Sequence, residues 1–510
     1  MSHDVSRRKF LHGAATGGVL AGLGDMAFLK HLPIVSAADM VLTQGRVSLA
    51  PDIEPLVRLL EDTPRARLLE RVAERIRQGT TYREVLTALQ LAGVRNVQPR
   101  PSVGFKFHAV LVVNSAHLAS LASPPEHRWL PIFWSLDYFK SAQAQDVREN
   151  DWTMQAVDEA RVPRAEQASD LFAHAMERWD ESAADTAVAA LARDFELQEV
   201  YEPMFRYGMR DFRSIGHKAI FVANSYRTLR EIGWQHAEPI LRSLAYALLM
   251  HEGTNPADRD SEYDRDGREN LGRMQEIRAD WAEGRLDHGA ATQLLSTLHA
   301  GTPAEASAHV VELLNAGVAP QSLWDALLCS SGETLVREPG IASLHTVTTT
   351  NALRFAYDTS RDDTTRRLTL LQNAAFIPWM RQQRLRLNGP LAKFHLTELV
   401  AREGKTSPED ALTAIFAEIS GNRLQAAERV LGYLEAGHSS EQLIEQARML
   451  IFLKGRDSHD YKFSSAVLED YYRVSPEWRH RFLASSVFHL AGSGAKDNEL
   501  VARTRAAFAS

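Results

Sequence analysis

Four histidines, His108, His217, His345 and His459, stand at matching places in four copies of one degenerate pattern. Imidazole is the commonest metal ligand among the side chains. Quasi-symmetric helices could point four of them at one centre and hold a single metal ion. In the first copy, Gly79 leads through EVLTALQLAG to FHAVLVVNSAH and His108. In the second, ELQEVYEPMFRYG leads to GHKAIFVANSYR and His217. The third runs from Gly317 through QSLWDALLCSSG to LHTVTTTNALRFAY and His345, and the fourth from Gly437 through EQLIEQARMLIFLKG to HDYKFSSAVLEDYY and His459. The competing reading is four core histidines that cap helices, but packing explains a repeated histidine less well than a lone one.

A lysine shares the face of the fourth histidine. Lys462 follows His459 by three residues, a spacing that puts both side chains on one side of a helix. A cationic lysine repels a metal. A buried, deprotonated lysine can bind one, and its carbamate would bind like a carboxylate. By spacing alone the more ordinary reading is a surface lysine paired with Asp460 or Glu469. Of the other histidines, His117 reads as a core or outer residue behind His108. His127 and His236 read as caps beside return helices, and His251 and His395 as structural. No GxSxG elbow, P-loop, GxGxxG or HExxH motif occurs, and Cys329 in LWDALLCSSG reads as core.

The elements that must position these residues read as helices. From Pro55 onward nearly every segment has helical periodicity, broken by Pro, Gly and Asp clusters. VLVVN after His108 and HTVTTTN after His345 have strand propensity, yet their equivalence to the helix-like segment after His217 favours helix. Asn114, Asn224 and Asn351 extend the repeat. Return helices follow in HRWLPIFWSLDYFK, HAEPILRSLAYALL and TRRLTLLQNAAFIPWM. The expected fold is all-α, with degenerate helical hairpins forming a bundle or toroid around a central site. The charged stretch from Glu252 to Asn270 lacks the spacing of a calcium loop and reads as a solvated surface loop.

Composition narrows the function class. The chain has 510 residues, 45% of them hydrophobic and 24% charged, which suits a large globular core. A net charge of −7 without a long basic run argues against nucleic acid. One cysteine allows neither an internal disulfide nor a thiolate cluster, so a metal would take nitrogen and oxygen ligands. Ser6-Arg7-Arg8-Lys9-Phe10-Leu11 reads as a twin-arginine motif. It is followed by an apolar stretch from Gly13 to Leu29 and a small-residue cleavage site at Val35–Ala38. The expected organisation is an export signal over 1–38, a linker over 39–54 and one helical repeat domain over 55–510. The mature chain has no stretch long and apolar enough for a membrane span. The expected location is periplasmic, reached through the twin-arginine machinery, which carries folded proteins.

The helices at His108, His217 and His345, with the late HDYK segment at His459–Lys462, resemble the questin oxidase-like family over roughly residues 80–475. Members of that family are helical, repeat-containing proteins of polyketide and anthraquinone pathways. They bind mononuclear non-haem iron through four histidines and a carbamylated lysine, and use dioxygen to open or oxidise aromatic rings. The resemblance implies an Fe(II) centre held by His108, His217, His345, His459 and carbamylated Lys462, and an aromatic or quinone-like small molecule as substrate. It implies no catalytic residue beyond the ligands. On the residues alone two alternatives stand beside an oxygenase: a metal-dependent hydrolase at the same site, and a helical-repeat scaffold that binds a partner without catalysis.

Overall fold

A computed structural model describes residues 53–388, 391–402 and 407–509. The export signal and nearly all of the expected linker lie outside the described residues. Among those residues the regular structure is helical, with no strand and one isolated bridge between Arg285 and Val318.

Eleven helices set up the histidines. In the first copy they are α1 (Tyr82–Asn96), α2 (His108–Ala122) and α3 (Trp129–Glu149). The second has α4 (Leu197–Met209), α5 (His217–Ile232) and α6 (Ala237–Leu248). The third has α7 (Pro320–Arg337), α8 (Ile341–Thr359) and α9 (Asp363–Asn388), and the fourth α10 (Ser440–Lys454) and the short α11 (Ser458–Ser464). Local chemistry starts several of them. Thr81 and Glu84 form a reciprocal capping box at α1. Pro320 stands in the first turn of α7, where its missing N–H costs nothing. Asp457 caps α11 by accepting from the His459 N–H at 2.7 Å. The copies that open at Gly79, Gly317 and Gly437 do so with left-handed backbone just past a preceding helix, with φ of +105°, +85° and +80°.

The β-branched segments are helical, as their equivalence to the second copy suggests. Ala109 to Ala116 on α2 and Leu344 to Leu353 on α8 are buried on all sides, and packing there outweighs strand propensity. The four histidine-bearing helices close a ring: α2 packs on α5, α5 on α8, α8 on α11, and α11 back on α2. The hairpin partners α3, α4 and α9 pack outside it, against α2, α5 and α8 respectively. One hydrophobic core runs through the chain from Leu56 to Ala507, and a small second cluster gathers Phe212, Ala375, Phe376, Trp379 and Met380. The C-terminal helix Glu499–Ala509 packs on the early helix Arg65–Arg77. There Arg503 bonds both Asp137 and the Arg65 carbonyl.

The charged stretch from Glu252 to Asn270 is not a loop throughout. Ser261 caps a helix over Glu262–Arg273, and Asp264 turns inward to pair with buried Arg213. Asn270 is buried on Gln372 at 2.8 Å. Alternating charge hid an amphipathic helix with one polar residue aimed at a buried cation.

Candidate metal centre

Each histidine enters the ring at the first turns of its helix. His108 and His217 are the first residues of α2 and α5, and His459 is the second of α11. His345 departs from the expected pattern as the fifth residue of α8, because that helix starts directly after Pro339-Gly340. The extra turn has a use: it brings the Ile341 carbonyl within 2.6 Å of His345 Nδ1. His108 Nδ1 meets the Phe105 carbonyl at 2.7 Å, and His217 Nδ1 meets the Ser214 carbonyl at 2.6 Å. A carbonyl oxygen can only accept, so all three Nδ1 atoms carry the hydrogen and all three Nε2 atoms turn a lone pair inward. Outer hydrogen bonds of this kind fix ring orientation and tautomer at metal sites.

Those inward nitrogens meet. His217 Nε2 lies 2.9 Å from His108 Nε2 and 2.9 Å from His345 Nε2. With both partners acting as acceptors, such contacts repel unless a proton or a cation sits among them. Burial, reinforced by neighbouring cations, holds all three imidazoles well below their ordinary pKa of 6.5, which disfavours the proton. A metal ion among the three nitrogens would resolve the conflict. The ligand atoms of the three residues all lie within 4.8 Å of one another, the spacing of groups that can share an ion.

His459 completes the circle of rings. Its centroid is 4.6 Å from that of His108 and 5.2 Å from that of His345. Asp457 Oδ1 lies 3.2 Å from His459 Nδ1, while the buried Nε2 has no partner among the described residues. Lys462 is 2% exposed, and its Nζ likewise has no hydrogen-bond partner among the described residues. Burial lowers this amine to about 7. Its charge, when present, lowers the pKa of His108, His217 and His345 alike, so the amine lies near all three. The surface-lysine reading fails. Asp460 instead accepts from the Arg456 N–H at 2.7 Å and pairs with His489 at 3.2 Å, and Glu469 pairs with Arg227 at 3.1 Å.

Two glycines shape the space in ways that were not legible in the sequence. A Cβ on Gly104 would stand 2.7 Å from His217 Cε1, 3.0 Å from His217 Nε2 and 3.3 Å from His108 Cε1. The loop at Gly104 thus lies against the inner edge of two imidazoles. Gly216, at φ +89°, precedes His217, and a Cβ there would collide with Thr349 Oγ1 at 1.9 Å. The only sequence signal was a glycine a few residues before a histidine, which is common everywhere.

Farther along the ring lies a polar layer. Asn114 Nδ2 donates to Asn224 Oδ1 at 3.3 Å, Asn224 Nδ2 to the Leu111 carbonyl at 2.8 Å, and Asn351 Nδ2 to buried Asp470 at 2.8 Å. His117 is buried behind the site with Nδ1 3.1 Å from the Tyr82 hydroxyl. His251 packs edge-on against Trp179. A second group, His299, Glu333 and His395, also has its ligand atoms within 4.8 Å of each other. Its two rings stack at 17°, and the Arg337 guanidinium sits 3.3 Å from His299 Nδ1, an arrangement that opposes a cation there.

The chain matches no protein-family model, no curated protein and no solved structure.

Proposed function

We propose that the chain is a metal-dependent oxygenase whose centre takes one ion, Fe(II), through His108, His217, His345 and His459, with Lys462 as a fifth ligand. The observation that carries this is the mutual approach of three imidazole nitrogens whose hydrogens are all committed to carbonyls on the outer side. Histidines folded into a core for packing have no reason to turn three lone pairs on each other inside a dry interior. Nitrogen and oxygen ligands suit non-haem iron.

The chain's own residues act by preparation. The carbonyls of Phe105, Ser214 and Ile341 lock the imidazoles in the binding tautomer before any ion arrives. Burial lowers the Lys462 amine to about 7, so a large share of it is free amine at neutral pH. That amine can add to the carbon of carbon dioxide with loss of one proton, which leaves an anionic carbamate where a cation would otherwise oppose the metal. Gly104, which carries only hydrogen, lets its loop lie against the edges of His217 and His108 without displacing either ring. The iron, when bound, supplies the means of using dioxygen on an aromatic or quinone-like substrate. The twin-arginine motif at Arg7-Arg8 would deliver the chain folded and loaded to the periplasm.

The test is oxygen uptake by the iron-loaded chain across a panel of hydroxylated naphthoquinones and anthraquinones, with heavy-oxygen gas and mass analysis of products. Label in the product, with no turnover by the zinc-loaded chain, is the expected result. Equal turnover with zinc and no oxygen uptake would make the centre hydrolytic instead.

A further inference from the structure

The four imidazoles are not held alike. Carbonyls of Phe105, Ser214 and Ile341 accept from His108, His217 and His345. The Ile341 carbonyl stands four residues before its histidine. Behind His459 the corresponding carbonyl, that of Gly455, is taken by Asn498 Nδ2 at 2.9 Å. A carboxylate stands in its place, with Asp457 Oδ1 3.2 Å from His459 Nδ1.

A helix cap alone does not account for this aspartate. Helices α2, α5 and α8 begin without a side-chain cap, and α11 is the one histidine-bearing helix that has one. Asp457 Oδ1 accepts the His459 backbone N–H at 2.7 Å, as a cap does. Serine, threonine or asparagine would serve there without a charge. The second contact, to the ring, is the one that a charge strengthens. Asp457 is exposed, so its carboxyl is ionised at neutral pH. His459 reaches inward from it, with Nε2 buried. The pair thus runs from solvent to the centre, carboxylate outside and imidazole inside.

A carboxylate that accepts the N–H of a metal-bound imidazole fixes the ring and raises its basicity. Its negative charge favours ferric over ferrous iron, because the attraction grows with the charge of the ion. With a carbamate on Lys462, the two anions would balance the two charges of Fe(II).

We propose that Asp457 is a positioning residue that orients His459, makes it the strongest donor of the four histidines and holds down the reduction potential of the iron. The inference rests on the centre proposed above, but asks only for bound iron and not for oxygenase turnover.

The test is the midpoint potential and iron retention of the iron-loaded full chain. Asp457→Asn keeps an oxygen acceptor at the cap and removes the charge, so it should melt as the parent does. A bipyridine chelator should strip its ferrous iron about tenfold more readily, as expected on weakening such an outer partner. Ferric binding should weaken about tenfold more than ferrous, a rise of about 59 mV for one electron. Asp457→Ser, which also caps but is too short for the ring, should show the same rise. Asp460→Asn is the control. It removes a carboxylate from the same helix, one paired with His489, and should move the potential by less than half as much. An Asp457→Asn chain with the parent's potential and iron retention would overturn the proposal. So would an equal shift in Asp460→Asn, which would reduce the effect to charge at a distance. If Asp457→Asn fails to fold, Asp457→Ser decides. Elemental analysis comes first. A parent that holds iron whose potential ignores Asp457 sinks this inference alone, whereas a parent that holds none sinks the centre and this inference together.

Discussion

At the scale of the residue, Lys462 is the most informative side chain. It is a buried amine without a hydrogen-bond partner among the described residues, near three imidazoles whose pKa its charge lowers. As a free cation it would cost several kcal/mol to bury. A carbamate paired with a metal ion would offset that cost. Lys462→Ala should therefore fold normally yet lose metal or oxygenase activity, and added bicarbonate should not restore it. Lys462→Glu, with a carboxylate of similar reach, should recover part of the metal content. An alanine variant with full metal and activity, measured by elemental analysis and oxygen uptake, would remove Lys462 from the centre. Gly104 is tested by addition rather than deletion. Gly104→Ala puts a methyl group 2.7 Å from His217 Cε1, and overpacking of that kind costs about 1–3 kcal/mol. We expect a lower melting temperature together with a lower metal content, because the methyl group would displace the His217 ring. A variant that melts and takes up metal as the parent does would show that the loop yields without moving the imidazoles.

At the scale of the element, short helices packed in a ring convert distant sequence into one site. The same ring needs its polar layer. Asn224 on α5 bridges to α2 twice, through Asn114 and the Leu111 carbonyl. Asn224→Ala should destabilise the chain by about 1–3 kcal/mol, because it orphans buried groups. Denaturant unfolding reads this loss, and metal content under native conditions should stay near that of the parent. An unchanged midpoint would mean that water or relaxation satisfies the layer. The helices themselves were legible in the sequence, since apolar periodicity is strong and the second copy disambiguated the β-branched ones. The register of α8 was not, because the pattern anchored each helix at its histidine, whereas Pro339-Gly340 set the true start one turn earlier. The convergence of His108, His217, His345 and His459 could be anticipated from their equivalent places. The Gly104 loop could not, because it depends on a contact between segments with no shared pattern. Asp264 was missed for a related reason: its charge signals solvent until Arg213, 51 residues away, is seen beside it.

At the scale of the whole molecule, the proposed export through a twin-arginine signal at Arg7-Arg8 would fix an order of events for a site sealed inside a helical ring: folding and loading first, translocation after. Arg7→Lys with Arg8→Lys should leave the precursor inside the cell, and immunoblotting of periplasmic fractions checks it. Normal export of the double variant would mean that another route carries the chain. Nothing tests the account more directly than the metal content of the purified full-length chain beside that of His217→Ala. His217 is the residue whose Nε2 stands 2.9 Å from both neighbouring imidazole nitrogens. We predict one tightly held transition-metal ion per parent chain and essentially none in the variant. A stable parent chain that holds no metal after iron loading, or a His217→Ala chain that keeps its ion, would contradict the four-histidine centre.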